Sequence, residues 1–337
     1  MIMDRIPNEI LHQIFPLAVT DGGSTGRSLA LVSRHFHEMS KEYRLQSISL
    51  CSHTQATSFA LMLDRTPLRE RRIVELQVQF DDTWWREDIW RRTCYIASPS
   101  ESNPALVLDS SSSRKAGRDR QYRLQSQLRN DQRELEFVST VKHILLQSHP
   151  RDALRTLTLG SLFSGRHVPN VDWVWSHLGE NLTSLTINMT IMYISDFHSM
   201  AVNHGSLRSL RYLDIAEMQF YQTHGSKFKL ISAIRDMAPS LVYLRINVSF
   251  AMMEWFDPRQ WLHNENLESQ QTLPGTIKLI FIQCDADSVY LEMYQWDLEI
   301  HTRLMDTFRN LAKSECRFKV VHEAQRNLDL QQLLDGS

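Results

Sequence analysis

One short pattern recurs through the middle of the chain: an apolar residue, two variable positions, an apolar residue, one variable position, an apolar residue. It stands at Leu154, Leu157 and Leu159; at Leu182, Leu185 and Ile187; at Leu210, Leu213 and Ile215; and at Leu241, Leu244 and Ile246, with starts 28, 28 and 31 residues apart. Alternation over the last two apolar positions is the period of a strand with one buried face. Helix-like runs intervene at 171–178, 194–204 and 228–237, the last with Phe228, Ile231, Ile234 and Ala238 on one face. One strand and one helix cannot bury their apolar faces alone. Units repeating at a near-fixed period are therefore expected to stack on one continuous core, with their strands side by side in a parallel sheet.

Weaker copies extend the series. Leu45, Ile48 and Leu50 and then Ile73, Leu76 and Val78 start 28 residues apart, with a helix expected around Phe59 and Leu63. Ile277, Ile280 and Ile282 give a further strand, residues 297–311 an amphipathic helix, residues 317–321 a last strand and residues 323–334 a terminal helix over the open end. The series breaks between Asp81 and Arg133. Trp84, Trp85 and Trp90 crowd one short stretch there, and a Ser-rich, apolar-poor run follows, which predicts a mobile insertion at about 97–121. Helical spacing returns at Leu124, Leu128, Leu135, Val138, Val141 and Leu145.

These triplets resemble the leucine-rich repeat, whose core is LxxLxL at a period of roughly 20 to 29 residues. The family's Asn or Cys after the motif is replaced here by Leu162, Thr190, Met218 and Ser249, so irregular turns are expected. The alternation itself sets Thr156, Thr158, Ser184, Thr186, Tyr212, Asp214, Tyr243 and Arg245 on the face of the strands away from the core. In a repeat of this kind that face is concave, and these eight residues are the candidate target-binding positions.

The first forty residues follow a different rule. Ile6, Ile10, Ile14 and Leu17 recur at helical spacing with Leu11 and Phe15 beside them, and after a spacer Leu29, Val32 and Phe36 repeat likewise, flanked by Leu31. Three short helices in so few residues lie near the lower limit for unaided folding, so docking to something else is expected. The order Ile6, Pro7, Glu9, Ile10, Leu11, Ile14, Phe15, then Leu29, Val32, Ser33, Arg34 and Phe36, resembles an F-box, as found in fungal-type F-box proteins. The whole chain then reads as α/β: a three-helix F-box at 1–44, followed at 45–337 by an irregular leucine-rich-repeat-like solenoid with a parallel concave sheet.

The resemblance implies the substrate-recognition subunit of a Skp-cullin-F-box (SCF) ubiquitin ligase. Ile6, Pro7, Ile10, Leu11, Ile14, Val32 and Phe36 would meet a Skp-type adaptor, and through it a cullin-RING ligase, while the repeats hold an unidentified protein target. Such a subunit acts by positioning and needs no catalytic residue or cofactor. An adaptor-bound scaffold that presents nothing for ubiquitination, or an enzyme with an unrecognised site among the repeats, are the alternatives.

No chemistry in the sequence competes with that expectation. The 14 histidines include no HExxH, and the Gly22–Gly26 run, GGSTG, lacks the GK[ST] ending of a phosphate loop and is not preceded by a strand. Cys51, Cys94, Cys284 and Cys316 have neither metal-ligand nor disulfide-framework spacing, which predicts a reducing compartment, cytoplasmic or nuclear. No apolar run reaches the roughly 20 residues of a membrane span. A formal net charge of -2 supplies no global pull toward nucleic acid or an anionic membrane. Residues 114–133 hold seven Lys or Arg against Asp119 and Asp131, but with Tyr122 as the one aromatic they read as a solvated charge run rather than a base-stacking surface.

Overall fold

The structure, a computed structural model, describes residues 6–79, 132, 135–148, 153–160, 178–188, 206–218, 226–249, 273–285, 306, 310, 313 and 317–321. Three helices lead: α1 (Asn8–Ala18), α2 (Ser24–Val32) and α3 (Arg34–Ser40). They are followed by β1 (Ser47–Leu50), α4 (His53–Arg65), β2 (Glu75–Val78), α5 (135–147), β3 (Thr156–Leu159), β4 (Ser184–Asn188) and β5 (Tyr212–Met218). The remaining described elements are α6 (Ser226–Met237), β6 (Tyr243–Ser249), β7 (Leu279–Asp285) and β8 (Phe318–Val321). All eight strands form one parallel sheet, and their order across it is their order in the chain.

The recurring apolar pattern sets the register. Ile48, Leu76, Leu157, Leu185, Leu213, Leu244 and Ile280 lie abreast, each hydrogen-bonded strand matching the next residue for residue. The row two residues on is Leu50, Val78, Leu159, Ile187, Ile215, Ile246 and Ile282. A slip by one residue would turn every one of these side chains to the opposite face, so burial fixes the pairing. The two weaker copies at Leu45 and Ile73 take full places as β1 and β2. One irregularity interrupts the ladder between Ile215 and Met218, where β5 shifts against β6.

Helices complete the core from the apolar side. On α4, Ala56, Phe59, Ala60 and Leu63 are buried; on α6, Ala233, Ile234 and Met237 are buried. The α5 face follows the expected spacing at Val138, Val141 and Leu145, which are buried together with Phe137 and Ile144, and departs from it at Leu135, which is 53% exposed. Ser52 caps α4 by accepting the Gln55 N–H at 3.2 Å. The Trp84, Trp85 and Trp90 cluster, the expected insertion at 97–121, the expected helices at 171–178 and 194–204, and the terminal helix lie outside the described residues, apart from half-buried Leu178, which packs against the core. So does almost all of the basic segment.

Candidate functional site

Two surfaces stand out, one on the N-terminal helices and one on the sheet. The helical unit has its own small core of Leu11, Phe15, Val19, Phe36 and Tyr43, with Ile6, Leu29 and Met39 packed around it. Phe15 is the centre: its ring lies 5.5 Å from that of Phe36 and 6.2 Å from that of Tyr43. Tyr43 Oη and His12 Nδ1 form a hydrogen bond of 2.9 Å. Burial, and secondarily the neighbouring Glu42 carboxylate, push the Tyr43 hydroxyl above its ordinary pKa.

Local chemistry places the helices. Gly22 and Gly23 take the left-handed φ values of 69° and 92°, which turn the chain from α1 into α2 against β1. Both Asp21 carboxylate oxygens accept the Thr25 N–H at 3.0 Å and one also accepts its hydroxyl, which holds the Asp21 pKa below the ordinary value. Ser24 to Arg27, which precede the apolar repeat that begins at Leu29, therefore belong to α2. Ser33 is extended and its Oγ accepts the Phe36 N–H at 3.2 Å, so α2 stops there and α3 begins.

This packing divides the seven residues expected to meet an adaptor. Leu11 (2% exposed) and Phe36 (5%) are interior and hold the helices together; Ile6 is half-buried against the same cluster. Pro7, Ile10, Ile14 and Val32 are exposed. Leu17 (80% exposed) and Leu31 (86%) join them, although neither is among those seven. The stripe Ile10, Ile14, Leu17 at spacings of 4 and 3 is thus an outer face of α1, and its flank Leu11, Phe15, Val19 is the inner one.

The second surface is the polar face of the sheet. Thr156, Ser184, Tyr212 and Tyr243 lie abreast on β3 to β6, and Thr158, Thr186, Asp214 and Arg245 form the next row out. All eight expected positions therefore share one face in two straight rows. Tyr212 and Tyr243 stack, ring centroids 4.8 Å apart and planes within 7°. Beside them Arg245 Nη1 stands 3.5 Å from Asp214 Oδ2, while Asp214 Oδ1 is buried and accepts no hydrogen bond among the described residues. Burial raises the Asp214 pKa, and the Arg245 charge offsets part of that rise. The face changes character along the sheet, from hydroxyls on β3 and β4 to an aromatic and charged cluster on β5 and β6. Tyr and Arg are the residues over-represented at interaction hot spots. The stacking was open to sequence reading only through the register, since the two tyrosines occupy the same place in consecutive copies.

Among the described residues no group of three or more His, Cys, Asp or Glu side chains could hold a metal ion, and no helix is long and apolar enough to cross a membrane. Cys51 is an exposed free thiol. Taken together the described elements define an α/β protein built from an N-terminal helical unit and an eight-stranded parallel sheet. No family model, no curated protein and no solved structure matches the chain.

Proposed function

We propose that the chain is a substrate-recognition subunit of an SCF ubiquitin ligase, with α1 to α3 docking on a Skp-type adaptor and the sheet domain, an irregular leucine-rich-repeat-like solenoid, holding the target. The observation that carries this reading is the division of the helical unit into two apolar faces. Leu11, Phe15, Val19, Phe36 and Tyr43 satisfy its own core, which leaves Ile10, Ile14, Leu17, Leu31 and Val32 in water. Fully burying a side chain of this size is worth about 1.5–3 kcal/mol. A second apolar face on so small a unit suits a partner groove. The strand order and common register support the solenoid reading, because every strand meets only its neighbours in sequence.

The mechanism is positioning. A target bound across Tyr212, Tyr243, Asp214 and Arg245 would be held at a fixed distance from the adaptor, so that its lysines meet a conjugating enzyme at high effective concentration. Purified chain and a Skp-type adaptor are expected to co-elute, and Ile10→Asp to weaken the pair more than tenfold while circular dichroism stays unchanged. Failure of the wild type to bind, under conditions where a known F-box does, would sink the proposal. Recruitment of cullin by the bound adaptor, with accumulation of a protein on deletion of this chain, distinguishes a receptor from a scaffold.

A further inference from the structure

Between the N-terminal helices and the first strand–helix unit lies a cleft of about 660 Å³, within the range of roughly 300 to 1,000 Å³ that holds small ligands. Its two sides differ in chemistry. The helical side contributes three cations: Arg27 from α2, and Lys41 and Arg44 from the turns after α3. The other side is apolar and hydroxylic, with buried Ile48 of β1 and Phe59 of α4 and exposed Ser58 and Met62 of α4. Glu70 is the one carboxylate in the lining, and it stands 3.5 Å from Arg44. The lining as a whole carries three positive groups against one negative. Lys41 is also held at 2.7 Å by Glu38, which lies outside the cleft, and Arg27 has no ion pair among the described residues. One wall is therefore short of anions while the facing wall offers aromatic and aliphatic carbon.

We propose that this cleft binds a small amphiphilic anion, a carboxylate, sulfonate or phosphate carried on an aryl or alkyl body. The anionic head meets Arg27 with Lys41 and Arg44 behind it, and the body lies against Phe59, Met62 and Ile48. A ligand seated there touches both α2 and α4, so it clamps the helical unit onto the sheet domain. None of its lining residues belongs to the exposed apolar set of α1 and α2 or to the two polar rows on β3 to β6, and the assignment does not depend on the function proposed for either.

The test uses the full chain and two dyes of one shape, anilinonaphthalene sulfonate and its uncharged parent phenylnaphthylamine. Wild type is expected to bind the sulfonate at a single saturable site and at least tenfold more tightly than the parent. Arg27→Ala should weaken the sulfonate at least fivefold, and Ser58→Trp, which fills the cleft from an exposed helix position, should abolish binding with an unchanged circular dichroism spectrum. Ile14→Asp, on the outer face of α1, should leave binding as it is. Equal affinity for the two dyes, or wild-type affinity in both Arg27→Ala and Ser58→Trp, would overturn the assignment. So would loss of binding in Ile14→Asp, which would move the dye to the α1 face.

Discussion

Asp214, on the polar face of the sheet, sets the cost of burying a carboxylate against the attraction of a neighbouring guanidinium. Its carboxylate has one oxygen 3.5 Å from Arg245 and the other buried without a hydrogen bond among the described residues, and burial raises its pKa above the ordinary aspartate value of 3.8. A raised folded-state pKa means that the folded chain holds the proton more tightly than the unfolded chain. The stability linked to this proton is complete below 3.8 and is lost as the pH climbs through the raised folded value. Asp214→Asn keeps the shape and removes the charge, and is expected to stabilise the protein at pH 7 while flattening the pH dependence above 4. Urea unfolding of both forms between pH 4 and 7 measures it. A less stable variant at pH 7 would mean that the Arg245 attraction outweighs the cost of burial.

At the scale of elements, α1 is the informative case because it carries two apolar stripes and buries only one. Leu11→Ala opens a cavity in the helical core and should cost about 2–5 kcal/mol, enough to unfold so small a unit, whereas Ile14→Asp on the outer stripe should change stability by less than about 0.5 kcal/mol. Thermal melts separate the two. Spacing in the sequence marks both stripes as apolar but does not say which one turns inward. That depends on where Phe36 and Tyr43 arrive from α3 and the turn after it, and on Ser33, whose cap ends α2 and aims α3. The strands were far more legible. A period of two with one buried face leaves a single workable register, so Leu157, Leu185, Leu213 and Leu244 aligned as their spacing required. The same register sets Tyr212 beside Tyr243 and Asp214 beside Arg245. The cleft was not legible at all, since Arg27, Ser58 and Glu70 share no local pattern and meet only through the fold.

For the whole molecule, the join between the helical unit and the sheet is direct. Gln46 Nε2 donates to the Pro16 carbonyl at 2.8 Å, one of the last carbonyls of α1 and so without a partner inside the helix. The Gly22 N–H donates to Ser47 Oγ at 3.1 Å, and Arg44 pairs with Glu70. Elsewhere β2 and β3 pair in full register although residues 79–155 separate them in the chain. Replacing residues 84–128 with a short Gly/Ser linker, and keeping α5, should therefore leave a far-ultraviolet spectrum of native shape and a melting temperature within about 4 °C of wild type, a shift that in a chain of this size corresponds to about 1–2 kcal/mol. Loss of the cooperative melt would mean that the removed segment is part of the core. The chain-ordered sheet also has a consequence in time. During synthesis from the N-terminus each new strand meets an edge that is already built, and the search is short at every step but one. After β2 the ribosome must add the whole stretch up to Thr156 before the next strand exists, at roughly 5–20 residues per second. For several seconds Val78 and its neighbours present a bare strand edge, and that pause is when the nascent chain is most open to pairing with the wrong partner.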